Sequence, residues 1–262
     1  MLSIYPVFWV TYIAVSLCFL VFGKTIKMGD NPAIILMSVF GMDGYLYSMY
    51  KTYYLIGEWF LGFILVLYAI YPLIRIVYLK SKIMMLCASI LVALISVNFN
   101  DWIYSHSFFW NFNAMWNPTA RLPEFVFGMI FFDYIRGNDK KAFYALIVSI
   151  AVISVSTFSD VGFFDGLYST PVLCASFSAV ASIYELVKKP SLIVRLVSML
   201  SAYSFIAFLV HHRIIFYIMS SDIIKSISVF NFLYLFISTS LLSFLSAAIL
   251  SPVCERLKSA IN

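Results

Sequence analysis

Apolar runs about 20 residues long recur along the whole of this 262-residue chain, and they leave few folds open. A run of that length is what an α-helix needs to cross a bilayer, where every backbone N–H and C=O must be satisfied inside the helix. The runs fall at about residues 4–22, 54–74, 83–99, 119–135, 141–158, 167–187, 199–219 and 228–250, or about eight spans. Only short polar joints separate them, so residues 1–262 read as a single domain. The expected fold class is all-α, a polytopic transmembrane helix bundle in a lipid bilayer. The first run lacks a basic leader and reads as a span, not a cleaved signal. Residues 31–50 carry two glycines and an Asp among their apolar residues and read as an interfacial or re-entrant piece.

Charge supports that solvent and gives an orientation. Charged residues make up 11% of the chain, against roughly 25% in soluble domains. The net charge of +5 does not point to nucleic acid, because the basic residues sit in short loops where they act as topology signals. Arg75, Lys80, Lys82, Arg136, Lys140, Lys141, Lys188, Lys189, Arg195, Arg256 and Lys258 fall on one side if the spans alternate. That side is expected to be cytoplasmic, with both termini on it. The longest loop on the other side, around residues 100–120, has three tryptophans and no basic residue before Arg121. Cys18, Cys87, Cys174 and Cys254 are far apart in or beside apolar runs, and are expected to be buried free thiols. Nothing in the spacing suggests a metal site, a nucleotide-binding glycine loop or a nucleophile elbow.

Ionisable residues within spans are costly, so they mark candidate function. Under this topology Glu58, Arg121, Glu124 and the trio His211, His212, Arg213 lie toward one surface. Glu58 shares a helical stripe with Gly62 and Ala69, which would let a second helix approach; it also lies beside Trp59 and Tyr54, where an interfacial belt is the plainer reading. Arg121 and Glu124, three residues apart, either neutralise each other or present the Arg fork to a phosphate or carboxylate while Glu124 holds it. Pro123 suits a first helical turn. Ser201, Ser204 and His211 form a polar stripe, with His212 about 100° round from His211. A neutral imidazole there is a candidate general base for a hydroxyl nucleophile, and Arg213 either joins it or snorkels to the surface. Asp101, His106, Trp102, Trp110 and Trp116 suit either sugar stacking or an aromatic belt.

Four segments carry a family resemblance: SIYPVFW at 3–9, EWFLGFILVLYAIYPLI at 58–74, RLPEFVFGM at 121–129 and SAYSFIAFLVHHRII at 201–215. In order and spacing the chain resembles the membrane-bound acyltransferase family 3, whose members O-acylate sugars of bacterial surface polysaccharides. The resemblance implies a membrane O-acyltransferase, most often an O-acetyltransferase, acting at the inner membrane with acetyl-CoA as donor and a glycan as acceptor. No further cofactor and no metal is expected. His211 and His212 occupy the place of the family's late His-His pair, with Glu58 as a further catalytic candidate. Arg121, Glu124, Arg213, Trp59 and Trp116 are candidates for substrate binding. Family members usually have ten spans, the first holding an Arg and a His thought to be the base. By that pattern this chain opens at the third span, with Ser3 where an Arg is usual. The competing expectation is a non-acylating membrane protein, a polysaccharide polymerase or a transporter. Against these stand the modest outer loop and the lack of a repeat in two halves.

Overall fold

A computed structural model describes residues 4–22, 31–43, 56, 58–106, 117–158, 169–187, 191–220 and 228–261. These are helical almost throughout, with no strand among the described residues. In chain order they form α1 (Ile4–Val21), a 3-10 turn (Pro32–Ile34) running into α2 (Ile35–Val39), α3 (Glu58–Lys80), α4 (Lys82–Asn98) and α5 (Asn100–His106). Then come α6 (Leu122–Ile135), α7 (Asp139–Phe158), α8 (Ser169–Leu186), α9 (Ser191–Ser220) and α10 (Val229–Ile261).

Every expected span lies on one of these helices. Five are long and apolar enough to cross a membrane: Ile4–Val21, Phe60–Lys80, Asp139–Phe158, Ser191–Ser220 and Val229–Ala260. The other three expected spans fall on α4, with 17 residues, α6, with 14, and α8, with 18. At about 1.5 Å per residue α6 extends only about 21 Å, less than the roughly 30 Å hydrocarbon core. The chain is a multi-pass, all-α membrane protein.

Side-chain distribution shows which solvent the helices expect. On α4 the buried residues are Met85, Ser89, Ala93 and Ser96, while Ile83, Leu91 and Ile95 face outward. On α8 the buried set is Ser169, Val172, Ala175, Ser178 and Ser182, and Leu173, Phe177 and Val180 are exposed. Small residues inside and large apolar ones outside is the arrangement lipid favours, because tails solvate Leu as well as a core does and small side chains let backbones approach. Some buried hydroxyls are satisfied within their own helix, as when Ser178 donates to the Cys174 carbonyl at 2.7 Å and Thr11 to the Val7 carbonyl at 2.8 Å.

Helix ends follow local chemistry. Ser81 caps α4 by accepting from the Met84 N–H at 3.2 Å. Between α6 and α7 the chain reverses over three residues: Gly137 takes φ +69°, and the Asn138 side chain accepts from the Lys141 N–H at 3.1 Å. Pro123 stands at the start of α6, where its missing N–H costs nothing.

The chain forms two compact units, one from residues 1–65 with 191–262 and one from 66–190. In the first, α9 and α10 pair and α1 packs on both. Its core joins Phe8 and Tyr12 of α1, Ile56, Leu61 of α3 and Leu209 of α9. Val7, Ile206, Ala207, Ala247 and Cys254 form a second cluster in the same unit. In the second unit α7 and α8 pair, and α6 lies against α4 and α8. There α6 is fastened at both ends. At its C-terminal end Asp133 accepts from the Tyr78 hydroxyl at 2.6 Å and from the Lys82 ammonium at 2.7 Å. At the other end Thr119 meets Ser96 of α4, hydroxyl to hydroxyl, at 2.6 Å.

Several expectations change. Gly62 is buried but Ala69 is exposed; the buried face of α3 runs through Leu61, Leu67, Ile74 and Tyr78, so the small-residue stripe does not continue. Ser201 and Ser204 are exposed, and the Ser204 hydroxyl bonds to the Ser201 carbonyl at 2.8 Å. Of the four free cysteines only Cys254 is buried; Cys18 and Cys87 are on exposed helix faces and Cys174 is half-buried. The segment after α4 begins as a helix, α5, on which His106 stacks over Trp102 with centroids 4.8 Å apart. Of residues 31–50, the described part, 31–43, holds a short turn and the helix α2, with Gly41 two residues beyond its end. There φ is +66° and an added Cβ would stand 3.0 Å from the Leu61 Cγ, a position suited to glycine.

Candidate functional site

The candidate residues fall into two sets, each within one unit. In the first unit His211 lies in the second half of α9, half-buried, and His212 beside it is exposed. The imidazoles stack with centroids 4.1 Å apart and planes 29° from parallel. The Nδ1 of His211 meets the backbone carbonyl of Phe208 one turn earlier. A carbonyl only accepts, so Nδ1 donates in this contact, and in the neutral ring the lone pair is on Nε2. The helix has therefore selected the tautomer in which Nε2 is the basic nitrogen.

What fixes that ring is aromatic packing. Phe208 lies 5.2 Å from His211, centroid to centroid, and 4.4 Å from Phe60 of α3. Phe60 is two residues beyond Glu58, so the start of α3 packs against α9 one turn before the His pair. The Glu58 and Trp59 side chains, and all of Trp116, lie outside the described residues. Arg213 is half-buried with its guanidinium over the ring of Phe19 on α1, at 5.7 Å. A cation on an aromatic face is attracted to it, which holds Arg213 against the bundle.

The second set is built on the entry to α6. Arg121 donates from NH1 to the Glu124 Oε1 at 2.6 Å and to the Ser169 hydroxyl at 3.4 Å. Thr170 donates to the same Glu124 oxygen at 2.9 Å. The side chains of Arg121 and Glu124 are 15% and 23% exposed, enough shielding to make the pair stronger than a surface ion pair. The pairing follows from the three-residue spacing, but its two anchors on α8 do not. Ser169 and Thr170 were missed because a helix separates them from α6 in sequence. The Ser-Thr-Pro opening of α8 was legible only as a helix start. Gly128, on the same face as Arg121 and Glu124, has open space around it and marks no close helix contact.

Two further residues emerge only in three dimensions. Asn117 is 1% exposed, and its Oδ1 accepts from the Thr119 N–H at 3.0 Å and the Thr119 hydroxyl at 2.6 Å. Its backbone carbonyl accepts from the Arg121 N–H at 3.2 Å, so this turn sets where Arg121 begins. Asp43, outside the spans and in the first unit, is fully buried with neither carboxyl oxygen hydrogen-bonded. Burial pushes its pKa up to about 6. The Ser38 hydroxyl pulls the other way, but the two groups do not reach hydrogen-bond geometry.

An imidazole and a shielded Arg–Glu pair, each described within its own unit, are the kinds of group that acyl transfer to a hydroxyl can employ, the first as a proton acceptor and the second as a donor to an anion. No curated protein and no solved structure matches the chain. A family model does, the acyltransferase domain Acyl_transf_3, over residues 1–252. A match over nearly the whole length, including all the candidate residues, places this chain in the membrane acyltransferase family 3.

Proposed function

We propose that this acyltransferase moves an acetyl group from acetyl-CoA to a sugar hydroxyl of a bacterial surface polysaccharide, such as O-antigen or capsule, at the inner membrane. The observation that carries the proposal is the His211 ring, whose Nδ1 is committed to the Phe208 carbonyl so that Nε2 is the acceptor nitrogen. In this reading Nε2 takes the proton of the attacking hydroxyl. His212 and Glu58 support the charge that His211 then carries. Arg121, held by Glu124, grips donor phosphate or acceptor oxygen, and Arg213 adds a second cation. Trp59 and Trp116 offer flat faces to the sugar. The basic loops set both termini in the cytoplasm. That orientation predicts that a single cysteine at position 139 reacts with an impermeant reagent only after the cells are permeabilised. Labelling in intact cells reverses it.

The test is the mass of the surface glycan in cells with the gene intact, deleted, or carrying a substitution at its own locus. Deletion should remove one acetyl increment, about 42 mass units per modified sugar, and an unchanged glycan would sink the proposal. In the same strains Arg121→Lys should lose nearly as much acetylation as Arg121→Ala, because an ammonium is a point charge and cannot reproduce the planar fork. Full acetylation with Lys would reduce Arg121 to a helix-end charge.

A further inference from the structure

The turn at 117–121 contains a group that the acyl-transfer reading has not used. Asn117 has two side-chain functions, and only one is employed. Its Oδ1 accepts twice from Thr119, forming the turn that leads into α6. Its Nδ2, buried, has no hydrogen-bond partner. Among the described residues the other buried polar side-chain atoms in that state are all oxygens, so Asn117 supplies the one nitrogen, with N–H donors and no acceptor. A buried donor left unpaired is costly, and amides in folded proteins rarely stay so. The cost is borne here in a continuous polar patch. Ser96 meets Thr119, Thr119 meets Asn117, the Asn117 carbonyl holds the Arg121 N–H, and Arg121 and Glu124 reach Ser169 and Thr170.

From this we infer that the Asn117 side-chain amide is a hydrogen-bond donor kept ready for an oxygen atom of the substrate in the patch around Arg121. The inference rests on the acyl-transfer reading and names a residue that reading did not assign. In the transfer, the sugar hydroxyl oxygen attacks the carbonyl carbon of an acyl thioester and the hydroxyl proton passes to the base. The carbonyl oxygen takes up the electron pair of the C=O bond, and as that bond re-forms the C–S bond breaks and the thiolate leaves. A neutral, water-excluded N–H donor suits the oxygen that carries charge only in the intermediate, since a donor fixed in place needs no reorganisation when the charge appears. A hydroxyl or ring oxygen of the glycan is the other source of the same acceptor chemistry, and kinetics separate the two.

The substitution that isolates the donor is Asn117→Asp, which keeps the acceptor oxygen for Thr119 and removes the N–H. Asn117→Ser is its companion, because a serine hydroxyl can still accept from the Thr119 N–H while falling short of the amide position. Both are made in the gene at its own locus, with protein in the membrane measured by immunoblot and acetyl transfer measured in isolated membranes against glycan concentration. We expect Asn117→Ser to accumulate as wild type does and Asn117→Asp, which buries a carboxylate, to accumulate less, and each to lower transfer per amount of protein by about 10²- to 10³-fold. A fall in kcat with KM unchanged assigns the amide to the acyl oxyanion, whereas a rise in KM assigns it to a glycan oxygen. Wild-type transfer by either well-expressed variant overturns the inference and leaves the acyl-transfer reading standing. So does failure of both variants to accumulate, which would make the amide a folding group. If wild-type membranes transfer no acetyl group, it is the acyl-transfer reading that fails.

Discussion

Replacing His211 with Ala should lower acyl transfer by about 10²- to 10⁴-fold, the usual contribution of a positioned general base, with little change in the amount of protein in the membrane. The two effects separate because of where the ring sits. His211 is half-buried, and its described contacts are the Phe208 carbonyl and ring and the neighbouring His212 ring, all on its own helix. Removing it leaves the interhelical contact between Phe60 and Phe208 in place. The core residues Leu209 and Val210, turned away from it, are untouched. His212→Ala should cost less, since that ring is exposed and acts in this account through His211. Transfer rates measured in membranes, normalised to immunoblot, check both. Equal activity in wild type and His211→Ala would remove His211 from the chemistry.

Asp43→Asn should stabilise the protein at neutral pH and flatten its pH dependence. The carboxyl is fully buried without a hydrogen-bond partner, and its pKa is pushed up to about 6 from 3.8. For an acid whose folded pKa is raised, the folded state holds the proton more tightly than the unfolded one. Stability is therefore greatest below the unfolded value and is lost as pH rises from about 4 through about 6. A shift of roughly two units corresponds to roughly 3 kcal/mol, all of it missing at pH 7.5. Asparagine is neutral at every pH and nearly the same shape, so the thermal midpoint in detergent should rise by several degrees at pH 7.5 and by about a third as much at pH 4.5. A lower midpoint at pH 7.5 would mean that the charge is compensated by a group beyond Ser38.

The helices were legible because lipid imposes one rule, an apolar run long enough to cross, and each such run is a helix here. Their ends were partly legible as well. Pro123 at the start of α6 and the Arg121–Glu124 pair follow from spacing along one helix. Contacts across helices did not follow, because on α4 and α8 the packing faces are rich in Ser and Ala, whose identity says little about partners. Ser96 of α4 meets Thr119 in the turn before α6, Thr170 of α8 meets Glu124 of α6, and no periodicity links either pair. The stripe drawn through Gly62 and Ala69 failed for the same reason, since a small residue on a helix can face either a neighbour or the tails. Asp43 sits two residues after Gly41 in the stretch read as an interfacial or re-entrant piece, and nothing in that reading foretold that its carboxyl is fully buried.

The central claim, transfer of an acyl group to a glycan hydroxyl, is tested most directly by following the acyl group itself. Membranes from cells with the gene intact are given acetyl-CoA labelled with carbon-13 in the acetyl group, and the surface glycan is recovered and analysed by mass spectrometry and NMR. The account predicts labelled acetyl in an alkali-labile ester on a sugar oxygen, absent from membranes of the deletion strain and strongly reduced with His211→Ala. A glycan without label, or one labelled equally in the deletion strain, would contradict it.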